Sequence, residues 1–240
     1  IPTVGTTAHS WVMSFHDELE SFQRFADFFR DKTVLLLDTY DSCEAVRKAL
    51  AAGVPFRGVR IDSGKLLEQS KQVRKLLDAA GRKDATILVS GDMNEYVIRD
   101  LIAQGAAIDM FGVGTDLVVS RDAPALNGIY KMVEIRHDGE VRSTAKFSDN
   151  KTTLPGRKQV FRHRTADGLL DYDVLGLESE SYPQAELLLR PVMREGRLVA
   201  EMPGLPAIRE RAAAELRCLP EKLRGLDQLG SYDVRRSELL

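Results

Sequence analysis

Cysteine and tryptophan are both scarce in this sequence. Among 240 residues there are two cysteines and one tryptophan. The two cysteines, Cys43 and Cys218, lie far apart, and neither belongs to a metal-spaced or redox pair. This usage excludes a disulfide-rich secreted domain, so we expect reduced thiols in a cytoplasmic protein. A structural disulfide between the two residues is the alternative.

Strong net charge and long apolar runs are also missing. The formal net charge is −2, which provides no basic field to attract nucleic acid or anionic lipid. No apolar run approaches the roughly 20 residues needed to span a bilayer, and no signal-peptide pattern opens the chain. We therefore expect neither nucleic acid nor membrane as a partner. With 43% hydrophobic and 29% charged residues, the chain can bury the core of one large or two small domains.

What the sequence does contain is a repeated pattern over residues 33–116. A short apolar run, a polar tip and an amphipathic stretch follow one another four times. The predicted strands lie at 33–41, 56–64, 85–92 and 108–115. This alternation is typical of βα units with right-handed crossovers, and it predicts a parallel sheet or barrel.

The segments on either side have different patterns. A helix is predicted over 17–32, with its apolar stripe directed into the core: Leu19, Phe22, Phe25, Phe28 and Phe29. After residue 129 the pattern changes to short strands and turns, and "HDGE" at 137–140 predicts a hairpin. A final helix is predicted from Ala207 to about Arg217.

The predicted strand tips carry the polar residues that can do chemistry. Carboxylates follow three strands and a Gly-x-Gly turn follows the fourth: Asp38 and Asp41, Asp62, Asp92, then Gly112, Gly114 and Thr115. In parallel βα arrays, ligands bind at the carboxyl ends of the strands. Glycine turns bring backbone N–H groups close to phosphates, and carboxylates bind sugar hydroxyls or Mg²⁺. Together they indicate a phosphorylated sugar carrying a diphosphate, although each signal alone is also found in plain turns and helix caps.

Six ordered blocks then carry a resemblance to a known family. They are "GTTAHSWVMSF" (5–15), "LLLDTYD" (35–41), "GVRIDSG" (58–64), "VSGDMNE" (89–95), "FGVGTDLVVSRDAPALNGIYKMVEI" (111–135) and "KFSDNKTTLPGRKQVFR" (146–162). In order and spacing they resemble nicotinate phosphoribosyltransferase, a type II phosphoribosyltransferase. The resemblance implies an α/β fold in which residues 1–135 form part of an irregular, TIM-like α/β barrel with the phosphoribosyl site. Residues 136–240 would be a β-rich segment and C-terminal helices of an α/β sandwich domain.

The resemblance also implies an activity. Members of this family condense nicotinate with phosphoribosyl pyrophosphate (PRPP), giving nicotinate mononucleotide and pyrophosphate in NAD salvage. ATP is a co-substrate, coupled through a transient phosphohistidine, and Mg²⁺ is the implied cofactor. A cytoplasmic homodimer is expected.

Site residues follow from the same resemblance. His9 would be the nucleophile toward the γ-phosphate of ATP, and Asp62 would be catalytic beside the ribose, where positive charge develops. The implied substrate-binding residues are Ser10, Asp38, Arg60, Ser63, Ser90, Gly91, Asp92, Gly112, Gly114 and Thr115. Asp38 would also be a metal ligand. The other histidines, which no motif supports, are predicted to be structural: His16, His137 and His163.

Two departures from the family pattern leave alternatives open. Lys65 stands where family members commonly carry an acidic residue. The family's proteins are also much longer, and four βα units cannot close an eight-stranded barrel. We expect a missing N-terminal part or a partner chain, and a chain that alone is poorly soluble or inactive. The rival functions are a sibling enzyme that uses nicotinamide or quinolinate, and a noncatalytic subunit.

Overall fold

The computed structural model describes residues 6–125, 128–147, 152–227 and 230–240. The chain divides between residues 126 and 127 into two compact units. The first unit is built on a parallel sheet and the second on a mainly antiparallel one, so the predicted α/β class is confirmed. Within the described ranges, no helix has the length and apolar character to cross a membrane. Cys43 and Cys218 are both free.

The first unit contains the predicted βα repeats. Its strands are β1 Val34–Leu36, β2 Gly58–Ile61, β3 Thr86–Val89 and β4 Met110–Phe111, paired in parallel in the order β1-β2-β3-β4. The helices are α1 His9–Met13, α2 Glu18–Phe29, α3 Ser42–Ala51, α4 Leu66–Ala79, α5 Glu95–Ala103 and α6 Thr115–Val119. Each predicted strand is present but shorter, because its polar tip leaves the sheet to form a loop.

The core of this unit lies between the sheet and the helices. In the strands, Val59 and Ile87 are fully buried and lie opposite each other in register. Helix α4 buries Val73 and Leu77 on its inner face, as its periodicity predicts. Each such side chain contributes about 1.5–3 kcal/mol when fully buried. The aliphatic core therefore holds the strand tips in fixed positions.

One expectation about helix α2 is wrong. Phe22 and Phe25 are buried as predicted, but Phe28 is 80% exposed and Phe29 is 43% exposed. With 3.6 residues per turn, Phe28 lies about 120° around the helix from Phe22 and so points away from the core. Phe29 shares the buried face, but it is the last residue of the helix before the 3₁₀ turn Arg30–Lys32.

The second unit is mainly β-sheet. Its strands are β5 Glu134–His137, β6 Glu140–Ser143, β7 Lys158–Arg164, β8 Leu170–Leu177, β9 Glu186–Leu187, β10 Met193–Arg194, β11 Arg197–Leu198 and β12 Asp233–Arg236. The largest sheet has the order β12-β8-β7-β9. The predicted hairpin is confirmed, since Asp138 and Gly139 join β5 to β6 with φ angles of 47° and 83°, as a type I′ turn requires. The predicted final helix is α7 Leu205–Arg217, followed by the 3₁₀ turn Glu221–Leu223.

Candidate active site

A polar cavity of about 630 Å³ lies in the first unit at the carboxyl ends of β2, β3 and β4. Its lining includes eight of the residues predicted for the site: Arg60, Asp62, Ser90, Gly91, Asp92, Gly112, Gly114 and Thr115. The cavity is also lined by four residues that lie in the quoted blocks but were not predicted for the site: Met93, Asn94, Asp116 and Arg121. The strand tips thus form one continuous binding space.

Arg60, Asp62 and Ser90 form a hydrogen-bonded cluster in this cavity. The Arg60 guanidinium donates from Nε to Ser90 Oγ at 2.7 Å and from one terminal nitrogen to Asp62 Oδ1 at 2.5 Å. Its other terminal nitrogen donates to the backbone carbonyl of Thr7 at 3.2 Å. The Ser90 hydroxyl donates to Asp62 as well. These contacts fix the guanidinium plane between β2, β3 and the segment before α1.

The cluster keeps Asp62 ionised. Burial alone would raise its pKa, but hydrogen bonds from Ser90 and Arg60 and the nearby Arg60 charge outweigh burial, and the pKa lies below its usual value. His9 acts in the same direction. Asp62 is therefore a fixed carboxylate at neutral pH, suited to stabilising positive charge that develops beside it.

His9 lies at the start of α1, and Asp38 follows β1. His9 Nε2 is 3.4 Å from Asp38 Oδ1, and the Asp38 side chain is only 4% exposed. The other carboxylate oxygen, Oδ2, accepts hydrogen bonds from the Asp62 N–H at 3.1 Å and the Ser63 hydroxyl at 2.7 Å. Oδ1 is buried and accepts no hydrogen bond from the described residues, and His9 Nε2 is the titratable group nearest to it. These contacts favour a role in orienting the His9 imidazole, and the metal role of Asp38 stays a prediction.

The remaining predicted residues lie at the β1 and β2 tips. Ser10 is exposed in the first turn of α1, beside His9. Ser63 is exposed, and its hydroxyl donates the hydrogen bond to Asp38 described above. Lys65 is exposed at the N-cap position of α4, and its side chain caps no backbone group there. His9, Ser10, Asp38 and Ser63 therefore form a second group of residues outside the lining of the polar cavity.

Two glycines allow the strand tips to approach each other. Gly91 has a φ of +87°, and a Cβ there would lie 2.0 Å from the backbone carbonyl oxygen of Asp62. A Cβ on Gly112 would lie 3.1 Å from the Ser90 Cβ. Asp92 also has a positive φ, of 46°. Strained backbone at a strand tip is common in binding sites, where the surrounding structure maintains it.

Three of the residues not predicted for the site, Asn94, Asp116 and Arg121, form a link between the β3 and β4 tips. Asn94 caps α5 by accepting hydrogen bonds from the backbone N–H groups of Tyr96 and Val97 at 3.1 and 3.0 Å. Its side-chain amide donates to Asp116 Oδ2 at 3.3 Å, and Arg121 Nε donates to Asp116 Oδ1 at 2.8 Å. An asparagine before an amphipathic stretch is a cap signal. No local sequence signal indicates the contact of Asn94 with Asp116.

The fold and the cavity define an α/β protein with a polar ligand site at the tips of a parallel sheet. Residues 181–240 match the model of the nicotinate phosphoribosyltransferase C-terminal domain. The chain is 42% identical to a nicotinate phosphoribosyltransferase of Mycobacterium tuberculosis, over 99% of this chain and 52% of that protein. It is 43% identical to the Bacillus subtilis nicotinate phosphoribosyltransferase, over 72% of this chain and 38% of that protein.

A solved structure agrees with these relatives. The crystal structure of human nicotinic acid phosphoribosyltransferase superposes with a TM-score of 0.76 at 26% identity, covering 99% of this chain and 60% of the human one. The resemblance stated from the sequence blocks is therefore confirmed, and the chain is a relative of nicotinate phosphoribosyltransferases over nearly its whole length. It spans about half the length of the Mycobacterium tuberculosis relative.

Proposed function

We propose that this protein transfers the phosphoribosyl group of PRPP to nicotinate, giving nicotinate mononucleotide and pyrophosphate. The observation that carries the proposal is the polar cavity in which Arg60, Asp62 and Ser90 face the turn from Gly112 to Thr115. Such a cavity combines a fixed carboxylate with a glycine turn, which suits a phosphorylated sugar. The names of the curated relatives support the same reaction.

In the proposed reaction, the bond between the ribose C1 and the diphosphate breaks while the nicotinate nitrogen bonds to C1. Positive charge develops on the ribose ring, and the ionised Asp62 stabilises it. Arg60 holds Asp62 and Ser90 in place through its hydrogen bonds. The backbone from Gly112 to Thr115 receives the 5′-phosphate. Positioning and charge stabilisation therefore provide most of the rate enhancement.

His9 is the proposed site of ATP coupling. Its imidazole attacks the γ-phosphorus of ATP, an N–P bond forms, the bond to the β-phosphate oxygen breaks, and ADP leaves. The Asp38 carboxylate, 3.4 Å from Nε2, orients the ring for this attack. Hydrolysis of the phosphohistidine then releases phosphate.

The residues of this site are suited to a magnesium ion that binds together with the substrate phosphates. Among the residues that the structure describes, no group of three or more His, Cys, Asp or Glu side chains is arranged to hold a metal. Mg²⁺ commonly takes only one or two carboxylates and fills its remaining positions with water and phosphate oxygens. The exposed Asp92 in the cavity wall offers one such carboxylate. Bound there, Mg²⁺ would neutralise the charge of the departing diphosphate.

The proposed active assembly is larger than this chain. Four parallel strands do not close an eight-stranded barrel, and the chain spans 52% of a curated relative. We propose that an N-terminal part of the same protein supplies the remaining strands and nicotinate contacts, in a homodimer. The reaction should therefore be tested on a protein that has the full length of the relatives and contains this sequence.

The test is nicotinate mononucleotide formation, with nicotinamide and quinolinate as competing bases. We expect turnover with nicotinate, accelerated by Mg²⁺-ATP, and an acid-labile phosphoryl group on His9 in intact-mass spectra. His9→Ala should abolish both the phosphoryl group and the ATP effect. A preference for another base would support a sibling enzyme, and the absence of PRPP binding would support a noncatalytic subunit. Undiminished ATP coupling in His9→Ala would refute the role of His9.

A further inference from the structure

Arg121 and Asp116 lie in the wall of the polar cavity, but the proposed reaction gives them no role. They follow the Gly112–Thr115 turn, on α6 and just after it. The Asp116 side chain is 18% exposed and that of Arg121 is 75% exposed. The carboxylate is thus largely buried in the wall, whereas most of the guanidinium side chain is exposed to solvent.

Asp116 is fixed from two sides. One carboxylate oxygen accepts a hydrogen bond from the Asn94 amide at 3.3 Å. The other oxygen pairs with Arg121, at 2.8 Å from Nε and 2.7 Å from a terminal nitrogen. Because Asn94 also caps α5, the position of Asp116 is tied to the tip of β3. Arg121 is therefore anchored to a rigid element through this one carboxylate.

Of the two guanidiniums in the cavity lining, Arg121 has more N–H groups left to donate, because one of its terminal nitrogens makes no hydrogen bond to the described residues. All three nitrogens of Arg60 already donate within the protein, to Asp62, Ser90 and Thr7. In the described part of the chain, Arg121 bonds to Asp116 alone, through Nε and one terminal nitrogen. A guanidinium can pair with one anion in this way while offering its remaining N–H groups to another.

The cavity lining carries more negative than positive charge, so an anionic substrate needs a cation that is free to contact it. Its lining contains three carboxylates, Asp62, Asp92 and Asp116, and two guanidiniums, Arg60 and Arg121. A phosphate monoester carries up to two negative charges and would be repelled by the carboxylates. Arg121 lines the same cavity as the Gly112–Thr115 turn, so its charge can act on a phosphate that the turn receives.

We propose that Arg121 binds the 5′-phosphate of PRPP and that Asp116 is the positioning residue that holds it there. This inference rests on the proposed function, because it takes PRPP as the ligand. It adds Arg121 as a substrate contact. It also adds the hydrogen bond from Asn94 to Asp116, through which the tip of β3 positions Arg121.

The test measures PRPP affinity by calorimetry, together with kcat and KM, in the full-length enzyme. We expect Arg121→Gln to weaken PRPP binding and raise KM for PRPP about tenfold, with kcat within about twofold of wild type. Arg121→Lys should recover part of the affinity, because charge returns without the paired geometry. Arg47→Gln is the matched control. Arg47 also forms an exposed pair with a carboxylate, Glu44, but it does not line the cavity.

The positioning role is tested by a double-mutant cycle. Asp116→Ala should raise KM for PRPP about threefold, and the double variant with Arg121→Gln should bind no more weakly than Arg121→Gln alone. Additive losses would overturn the positioning role. Wild-type-like KM in Arg121→Gln, in a folded protein that binds PRPP normally, would overturn the phosphate contact and leave the proposed function intact. If the wild-type enzyme did not bind PRPP at all, the proposed function itself would be refuted.

Discussion

At the scale of single residues, Gly91 is the position at which the geometry of the site depends most directly on the absence of a side chain. Its φ is +87°, and a Cβ at this position would lie only 2.0 Å from the Asp62 carbonyl oxygen, which leaves no room for a side chain. We expect Gly91→Ala to separate the β2 and β3 tips, to cost about 2–4 kcal/mol of stability and to abolish PRPP binding. Thermal unfolding and calorimetry on the full-length protein measure both effects.

Gly53 is the matched control for this prediction. It has a φ of +65°, with nothing within 4 Å of the position a Cβ would occupy. Gly53→Ala should therefore cost only the backbone strain, about 1–2 kcal/mol, and leave PRPP affinity unchanged. Equal effects of the two substitutions on PRPP affinity would show that the contact with Asp62 has no bearing on the site.

Residues of the site differed in how far the sequence could predict them. Asp62, Ser90 and the glycines follow apolar runs directly, so the rule that strand tips converge predicted their meeting. The approach of Asp116 to Asn94 could not be predicted in this way, because it depends on the path of the chain after β4. Arg121 is similar: an arginine in a polar stretch has no periodicity that reveals its partner.

At the scale of helices and strands, the contact between α2 and α3 contains a buried charge. Glu18 is 5% exposed, and its carboxylate pairs with Lys48 at 3.2 Å. Burial raises the pKa of Glu18 above its ordinary 4.5, although Lys48 acts in the opposite direction. The folded state therefore holds a proton more tightly than the unfolded state. Stability should fall as the pH rises from about 4.5 through the folded-state pKa.

Glu18→Gln tests this link between pH and the packing of α2. The amide has no charge to desolvate, so the loss of stability between pH 4.5 and pH 8 should be smaller than in wild type. The measurement is the unfolding free energy by denaturant titration at both pH values. Glu20→Gln, on the same helix with its side chain 48% exposed, should keep the wild-type pH dependence. An unchanged pH dependence in Glu18→Gln would contradict the prediction.

Helices and hairpins could be predicted from the sequence where local residue patterns determine them. The period-3.6 stripe of α4 and the hairpin turn at Asp138 and Gly139 determine local structure without help from distant residues. The stripe of α2 led to an error at Phe28 because phenylalanine content alone does not define a face. The short strands β9, β10 and β11 could not be bounded from the sequence, since two-residue strands depend on pairing with the rest of the sheet.

At the scale of the whole molecule, large apolar side chains remain exposed in both units. In the first unit Phe28 is 80% and Val118 84% exposed, and in the second Ile129 is 75% exposed. A cavity of about 630 Å³ in the first unit is lined by Trp11, Phe15, Phe25, Phe28 and Phe29 together with Thr7, Ala8 and Arg24. The aromatic lining of this cavity is contiguous apolar surface, which marks an interaction site or an aggregation hazard.

We therefore expect these 240 residues, expressed alone, to bind a hydrophobic dye, to elute as oligomers and to form no nicotinate mononucleotide. The double substitution Phe28→Ser with Phe29→Ser should reduce dye binding and association, because it removes the outer aromatic rings. It should lower the unfolding free energy by about 1–2 kcal/mol, because the Phe29 ring lies 4.4 Å from the Phe25 ring between centroids while Phe28 is mostly exposed. Phe22→Ser, at a residue 2% exposed, should instead unfold the first unit and increase dye binding. A monodisperse monomer with measurable turnover would mean that the four-stranded sheet needs no further cover, and that the site at its tips is complete without additional strands.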